Sequence, residues 1–600
     1  MKLHRKTAAF IAAAVALSFC SSAAAAADEN NVNITINTSK NRKEISPYIY
    51  GVNSELMNKE VSCTAIRAGG NRFSAYNWET NASNAGSDWQ NNSDNYFQQS
   101  LPDELDNTPG GAAINLSRKC AEKNNAYSLM TLQMAGYVAA DMDGEVTQNQ
   151  SAPSKRWNKA EPIKGSDFAQ QPDLNDDTVY MDEFVNYLVN TLGDSQNGGI
   201  NGYSLDNEPG LWRHTHSLIH PQPTECKEIV EKSVTLSKAV KDIDSDAEIF
   251  GPALFGYGAF TNFAGAPDWN EINQQNDYRW FIDYYLDEMK KAEDENGVRL
   301  LDVLDVHFYT EAKGECGERS CSHYNREGCV NARLNSTRSL WEDGYKEDSW
   351  IVDTGAEFFP ILPNLQQSID TYYPGTKLAI TEYDFGGSYD ICGGIAEADA
   401  LGIFAENGVY LATLFAGEAD YQCAAIDLYT NYDGNGSGFG DTLVDCESDN
   451  IELSTAYAAI NGESEDVITL VITNKSFSEK TTANINISGD NNYKYVHLYG
   501  LNSFSPQVFD MTDSNSAVTV SGNAISYEME PETVSLLVIA KDKAAAEAKA
   551  TAANDKNSVI KETQKTSSIT GIVIGAVCAV IAAAVGVIFG LKKKKSDRQQ

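Results

Sequence analysis

Basic side chains are scarce in this 600-residue chain: 46 Lys and Arg stand against 84 Asp and Glu, for a formal charge of −38. A surface so acidic argues against nucleic acid and anionic lipid as partners, because both recruit cationic faces. Neutral polysaccharide remains compatible with it. The chain also lacks a phosphate-cradling glycine loop, a His-Glu-x-x-His pair and a Gly-x-Ser-x-Gly turn, so those chemistries are without their residues. Histidine is rare, with seven in all, and shows no ordered zinc spacing with cysteine. Cys316, Cys321, His323 and Cys329 do cluster, but their spacing fits no standard finger, and a loop disulfide suits them better than zinc. With Cys20 and Cys578 set aside, nine cysteines remain: Cys63, Cys120, Cys226, Cys316, Cys321, Cys329, Cys392, Cys423 and Cys446. An odd number leaves at least one thiol without an intramolecular partner, and the pairing is not readable from sequence.

What the chain does have begins at its two ends. Residues 1–27 read as a secretory signal: Lys2, His4, Arg5 and Lys6, an apolar run from Ala8 to Phe19, then small residues before Asp28. Phe19 before Cys20 argues against a lipoprotein signal, which needs a small residue there. Ile569–Leu591 is uncharged and 23 residues long, enough for a bilayer of about 30 Å. Lys592–Lys595 follow it, so residues 592–600 are expected as a cytoplasmic tail. The expectation is an ectodomain exported by a Sec-type route and held in the cell membrane by one C-terminal helix.

Between the ends, short apolar runs alternate with helical stretches. Candidate strands are Tyr48–Asn53, Ala65–Gly69, Ser128–Met134, Gly202–Asp206, Glu248–Pro252, Val303–Tyr309, Lys377–Glu382 and Val409–Leu414. Helices are expected over Met181–Leu192, Cys226–Ile243, Trp280–Lys291 and Gly394–Asn407. Eight such units predict an α/β class (β/α)8 barrel over residues 45–423. Residues 424–540 change texture to strands parted by Asn, Gly, Asp and Ser turns, with no helical period, and predict an antiparallel β-sandwich. Segment 28–44 alternates in the same way and is expected to add a strand to it. Residues 541–568 are Ala, Lys, Glu, Thr and Ser with almost no large apolar residue, a solvated spacer that such a composition allows to be helical in part.

Cleaving a glycosidic bond takes one carboxyl to protonate the leaving oxygen and a second at the anomeric carbon. In a barrel such groups sit at the C-terminal ends of strands. The fourth strand ends in Asn207-Glu208-Pro209 and the seventh in Glu382. Asn-Glu-Pro alone occurs widely, since Pro stops strands and Asn opens turns. The pairing of the two strands carries the signal, because the large clan of retaining (β/α)8 hydrolases uses those strands.

The chain resembles glycoside hydrolase family 44, the endoglucanases and xyloglucanases, from about Ile45 through the sandwich. The resemblance rests on Ile45-Ser-Pro-Tyr-Ile-Tyr-Gly-Val-Asn53, Arg67-Ala-Gly-Gly-Asn-Arg72, Tyr76-Asn-Trp-Glu79, Asn84-Ala-Gly-Ser-Asp-Trp89, Tyr203-Ser-Leu-Asp-Asn-Glu-Pro209, Ile380-Thr-Glu-Tyr383 and Asn431-Tyr-Asp-Gly-Asn-Gly436. It implies a barrel with a sandwich assembled from both chain ends, and double displacement with Glu208 as acid/base and Glu382 as nucleophile. It further implies that Arg67 bonds the nucleophile, that Tyr309 donates to Glu382 above a floor containing His307, and that Asn207 holds the sugar 2-hydroxyl. An isolated histidine on a strand is more often a hydrogen-bonded core residue.

A β-glucan needs flat aromatic platforms, and Trp78, Trp89 and Trp212 follow the second and fourth strands on the active side; packing within the loops is the competing reading. The family usually has Trp in the eighth-strand segment, where this chain has Phe415, which covers less area. No cofactor is required. Asp433, Asn435 and Asp441 could hold a structural calcium, although such Gly/Asn/Asp loops usually just turn. The activity implied is an endo-β-1,4-glucanase cutting cellulose-like glucan or xyloglucan. A β-mannanase or xylanase on the same scaffold, or a non-catalytic polysaccharide-binding lectin, are the alternatives.

Overall fold

A computed structural model describes residues 30–553, apart from 316, 318, 320–324 and 512–516. Eight parallel strands close a barrel: β1 (Tyr48–Asn53), β2 (Ala65–Ala68), β3 (Tyr127–Leu132), β4 (Gly202–Leu205), β5 (Glu248–Leu254), β6 (Val303–Tyr309), β7 (Lys377–Asp384) and β8 (Leu411–Leu414). Neighbours follow chain order, and β8 returns to pair with β1 through Leu411↔Tyr48 and Leu414↔Val52. Helices Gly111–Glu122, Met181–Leu192, Cys226–Ile243, Phe281–Asn296, Ile361–Tyr372, Ile391–Glu406 and Asp420–Thr430 follow β2 to β8 in turn. The strands are buried nearly throughout, so they appear in sequence as continuous apolar runs rather than alternating ones.

All eight expected strands are present, with ends displaced by a few residues. The link from β1 to β2 holds only a 3-10 turn, Ser54–Leu56, where a full unit would carry a helix. Asp420–Thr430 is the helix that follows β8, so the sandwich opens later than residue 424, at the strand Thr442–Ser448.

The sandwich strands run in the order Ser505–Asp510, Tyr495–Asn502, Thr533–Ala540, Ser464–Asn474, Ala456–Asn461, Thr442–Ser448, Asn31–Asn37, Thr481–Ser488, Ala524–Met529 and Val518–Ser521. Asn31–Asn37 alternates exposed and buried residues. It lies parallel to Thr481–Ser488 (Ile34↔Ile485) and antiparallel to Thr442–Ser448 (Ile36↔Cys446). Val32, Ile34 and Ile36 thereby enter the apolar layer formed with Ile468, Leu470, Ile485 and Leu537. Thr442–Ser448 and Ser505–Asp510 bury too few residues to show a clean two-residue period.

Helix Ile391–Glu406 is buried from Ile391 to Ala405, because the barrel covers one side and the sandwich the other. At that seam the Asp399 carboxylate meets Lys475 Nζ at 2.8 Å, both side chains almost wholly buried. Tyr457 Oη and Thr337 Oγ1 also donate to Asp399, at 2.7 and 2.6 Å.

Two expectations change. Residues 543–553 are helical, with Ala545 and Ala546 packed on the main core, so the start of the expected solvated spacer is docked. The membrane-anchored placement is withdrawn: no helix among the described residues is long and apolar enough to cross a membrane. The segments on which that placement rested, 1–27 and 569–591, lie outside the described residues. Cys329 is disulfide-bonded, which removes one donor from the zinc alternative, while Cys316, Cys321 and His323 lie outside the described residues. Asp433 accepts from the backbone N–H groups of Asn435 and Ser437 and from Ser437 Oγ, which makes its loop a hydrogen-bonded turn.

Candidate active site

The strand period of two places Asp305, His307 and Tyr309 on one face of β6. The β6–β7 register then sets His307 beside Glu382. Arg67, from β2, is fully buried and reaches across: its Nη1 lies 2.7 Å from Glu382 Oε1 and 3.1 Å from Asn53 Oδ1. Its Nη2 donates to Asn207 Oδ1 at 2.8 Å. Tyr309 Oη donates to the other carboxylate oxygen, Glu382 Oε2, at 2.9 Å. Gly69 makes room for this guanidinium, since a Cβ there would stand 2.2 Å from Arg67 Cζ.

On the opposite wall β4 ends in a strained turn. Asp206 (φ +64°) and Glu208 (φ +46°) both occupy the left-handed region, a conformation that bonds from the surroundings must hold in place. The buried Asp206 carboxylate supplies them, accepting from Ser74 Oγ (2.5 Å) and from the backbone N–H groups of Met134, Ala135 (3.1 Å) and Asn207 (2.7 Å). Asn207 Nδ2 donates to Asn71 at 3.1 Å. Glu208 Oε1 lies 2.9 Å from His307 Nδ1, which is 3.5 Å from Glu382 Oε2. One oxygen of each glutamate and a ring nitrogen of His307 all fall within 4.8 Å of one another. Both oxygens of Glu382 accept hydrogen bonds, one from Arg67 and the other from Tyr309.

Electrostatics separate the groups. Burial would raise the Glu382 carboxyl, but His307, Arg67 and its hydrogen bonds outweigh burial and hold it below the ordinary carboxylate range. Burial would lower His307, yet the Glu382 charge and the bond to Glu208 win and raise it, favouring the imidazolium between the two glutamates.

The expected aromatic platforms divide. Trp78 and Trp212 are 0% exposed and pack inside the loops, contrary to their reading as sugar platforms. Trp78 stacks on Phe184 of the helix Met181–Leu192 (5.1 Å, 9° between planes); Trp212 lies against His220 with Lys232 Nζ 5.0 Å over its ring. Position in the chain puts both on the active end, but only packing decides which way a ring faces. Trp89 is 60% exposed. Phe415, partly exposed at the end of β8, lies over Gly70. Sequence reasoning passed over Asn53, Asn71, Asp206 and Asp305, although each stands inside a segment it had singled out. It also missed a cavity of about 380 Å³ beside Tyr309, lined by Phe255, Tyr257, Phe308, Trp350 and Glu311.

Behind β7, Tyr383 Oη donates at 2.6 Å to Glu397, whose complete burial pushes its carboxyl up to about 8. A carboxyl raised on folding keeps a proton that the unfolded chain releases, so stability falls as pH climbs from about 4.5 to about 8. Glu397→Gln is expected to remove that slope and raise the midpoint of thermal unfolding at pH 8 by roughly a few degrees, with little change at pH 4.5. Scanning calorimetry across this range checks it.

A closed barrel with facing carboxyls at the ends of β4 and β7, an arginine on one and a histidine between them, defines a glycoside hydrolase. Residues 82–312 match the model of glycoside hydrolase family 44. Endoglucanase A of Paenibacillus lautus is 45% identical over 554 residues, covering 90% of this chain and 78% of that protein. Among solved structures, a family 44 endoglucanase from Clostridium thermocellum is 49% identical, with TM-score 0.80 over 85% of this chain and 100% of the other. A family 44 xyloglucanase from Paenibacillus polymyxa, solved with xyloglucan, is 45% identical, with TM-score 0.81 over 85% and 99%. The chain belongs to glycoside hydrolase family 44.

Proposed function

We propose that the protein is a retaining endo-β-1,4-glucanase acting on cellulose-like glucan or xyloglucan, with Glu382 as nucleophile and Glu208 as acid/base. The observation that carries the reading is the approach of the two carboxyls within 4.8 Å of each other and of His307. Retaining enzymes hold theirs about 5–5.5 Å apart, whereas inverting enzymes leave about 6.5–9.5 Å for a water between them. Glu382 attacks the anomeric carbon while Glu208 gives its proton to the departing glycosidic oxygen, leaving a glycosyl ester on Glu382. Glu208, now a base, takes a proton from water as that water attacks the ester, and both carboxyls return to their starting states. Arg67 and Tyr309 keep the attacking carboxylate ionised and aimed, and Asn207 is placed to accept or donate at the sugar 2-hydroxyl. In this reading the barrel is the catalytic unit, and the sandwich, closed by the segment 28–44, supports it.

The surface of the barrel agrees with a long neutral substrate. Of eight large apolar side chains strongly exposed among the described residues, seven lie between a barrel strand and the helix that follows it: Trp89, Tyr96, Ile163, Phe168, Leu174, Trp350 and Tyr389. These segments sit at the end of the barrel that holds the glutamates, where aromatic faces can stack on sugar rings. Xyloglucanase and endoglucanase activities in the relatives support the same substrate class.

Reducing-sugar release from carboxymethylcellulose, xyloglucan, xylan and mannan tests the substrate, and proton NMR of the first-formed anomer tests retention. Glu208→Gln is expected to lose about 10²–10⁴-fold in kcat on polymer. The same variant should still form the glycosyl ester rapidly from an aryl glycoside whose leaving group needs no proton. An inverted first product, or a Glu208→Gln enzyme with wild-type activity on polymer, would sink the assignment.

A further inference from the structure

We propose that the sandwich takes part in binding the polysaccharide. The hairpin tip carrying Phe504, together with Tyr389 on the segment after β7, forms an aromatic subsite for a distal stretch of the same β-glucan chain. This rests on the glucanase reading above.

Phe504 is 92% exposed, and Tyr389 62%. Three sandwich hairpins close with two-residue turns, identified by the pairs Asn461↔Ser464, Ser521↔Ala524 and Asn502↔Ser505. The first two turn on Gly462-Glu463 and Gly522-Asn523, the residue types such turns favour, with both glycines at positive φ. The third turns on Ser503-Phe504, and nothing in turn geometry asks for a phenylalanine. The backbone N–H of Phe504 donates to Asn502 Oδ1 at 2.9 Å, which fixes the tip.

The tip is also fixed in place against the active end of the barrel. Leu501 is buried against Gly394, where a Cβ would come within 3.3 Å of Leu501 Cδ1. Tyr421 Oη donates to Asn502 O at 3.1 Å, and the Tyr421 N–H donates to Ser388 O at 3.4 Å. Gly394 and Tyr421 belong to the first turns of the helices after β7 and β8, which start at the barrel end where the strands finish. Tyr421 therefore ties the Phe504 turn to the segment bearing Tyr389 at one point on the rim.

The occupant follows from chemistry. An aromatic face left in water is covered well by the C–H faces of a pyranose chain, and a neutral polymer meets no repulsion from a protein of charge −38. A chain leaving the cleft past the end of β7 would cross this point.

The test compares wild type with Phe504→Ala and Phe504→Ala/Tyr389→Ala in native gels with and without embedded xyloglucan or hydroxyethylcellulose. Kinetics on soluble polymer and on a chromogenic cellotrioside accompany the gels. Retardation by embedded glucan should weaken in the single variant and further in the double. The ratio of KM for polymer to KM for the trioside should rise about fivefold, with kcat on polymer held. Because retardation needs no turnover, a wild type that cleaves no glucan would count against the glucanase reading separately. Equal retardation of all three proteins, or KM values that rise together on polymer and trioside, would overturn the subsite. So would a wild-type dimer in sedimentation that Phe504→Ala dissolves, since it would give the tip to a second copy of the chain.

Discussion

Glu382→Gln is expected to lower kcat on soluble glucan by on the order of 10⁴-fold or more, with the fold intact. The size of the loss follows from the number of interactions that converge on this carboxylate. Arg67, Tyr309 and His307 all point charge or protons at it, and the carboxyl is held below its ordinary range despite burial. In the proposed mechanism a neutral amide keeps the shape but supplies no nucleophile, so the ester intermediate cannot form. The same variant leaves the buried Arg67 without the carboxylate it pairs with, so a modest loss of stability should accompany the loss of rate. Steady-state rates, an aryl glycoside burst and circular dichroism separate the two effects: a burst of aglycone release that survives in Glu382→Gln would remove this residue from the chemistry. Since the carboxyl ionises below the usual range, the acid limb of kcat/KM in the wild type should lie below pH 4.5 as far as Glu382 sets it.

Lys475→Met is expected to cost about 3–5 kcal/mol, the largest stability effect we anticipate from one substitution. It strips the partner from Asp399 in a seam where both side chains are almost wholly buried, leaving Tyr457 and Thr337 as donors to an uncompensated charge. Asp399→Asn alone should be damaging for the mirror-image reason, and the double variant Asp399→Asn/Lys475→Met should recover much of the loss. Urea unfolding followed by fluorescence and circular dichroism reads this. Additive losses in the double variant would show that the pair is not coupled. The pH dependence has a fixed sign. Asp399, lowered mainly by Lys475 against the opposing effect of burial, contributes stability above the unfolded carboxylate value, and that contribution disappears as pH falls through its folded value.

That Glu208 and Glu382 would face each other at one end of the barrel could be read from the chain because strand ends in a parallel barrel are marked locally. An apolar run stops at Asn-Glu-Pro in one case and at Thr-Glu-Tyr in the other. Arg67, Asn207, His307 and Tyr309 lie at strand ends too; the structure brings Arg67, His307 and Tyr309 onto the two carboxyls and sets Asn207 against Arg67. Asp206 was hidden in plain view: an acidic residue two positions before Glu208 carries no local sign that it will be buried and used to hold a strained backbone. Trp78 and Trp212 failed for a related reason. Loop residues show no period, so nothing in the chain distinguishes a ring that turns toward Phe184 or His220 from one that turns toward substrate.

The sequence by itself determined the architecture, because an amphipathic or buried segment carries its period and its stop signals within a few residues. The eight barrel strands and the alternating Asn31–Asn37 strand are local facts of that kind. Only the tertiary structure decided which side chains meet across the fold: Arg67 with Glu382, Asp399 with Lys475, Tyr421 with the turn that presents Phe504. These contacts join residues tens to hundreds of positions apart. Their geometry depends on barrel register and on how the sandwich seats against two helix starts, and neither quantity is written in any single stretch of chain.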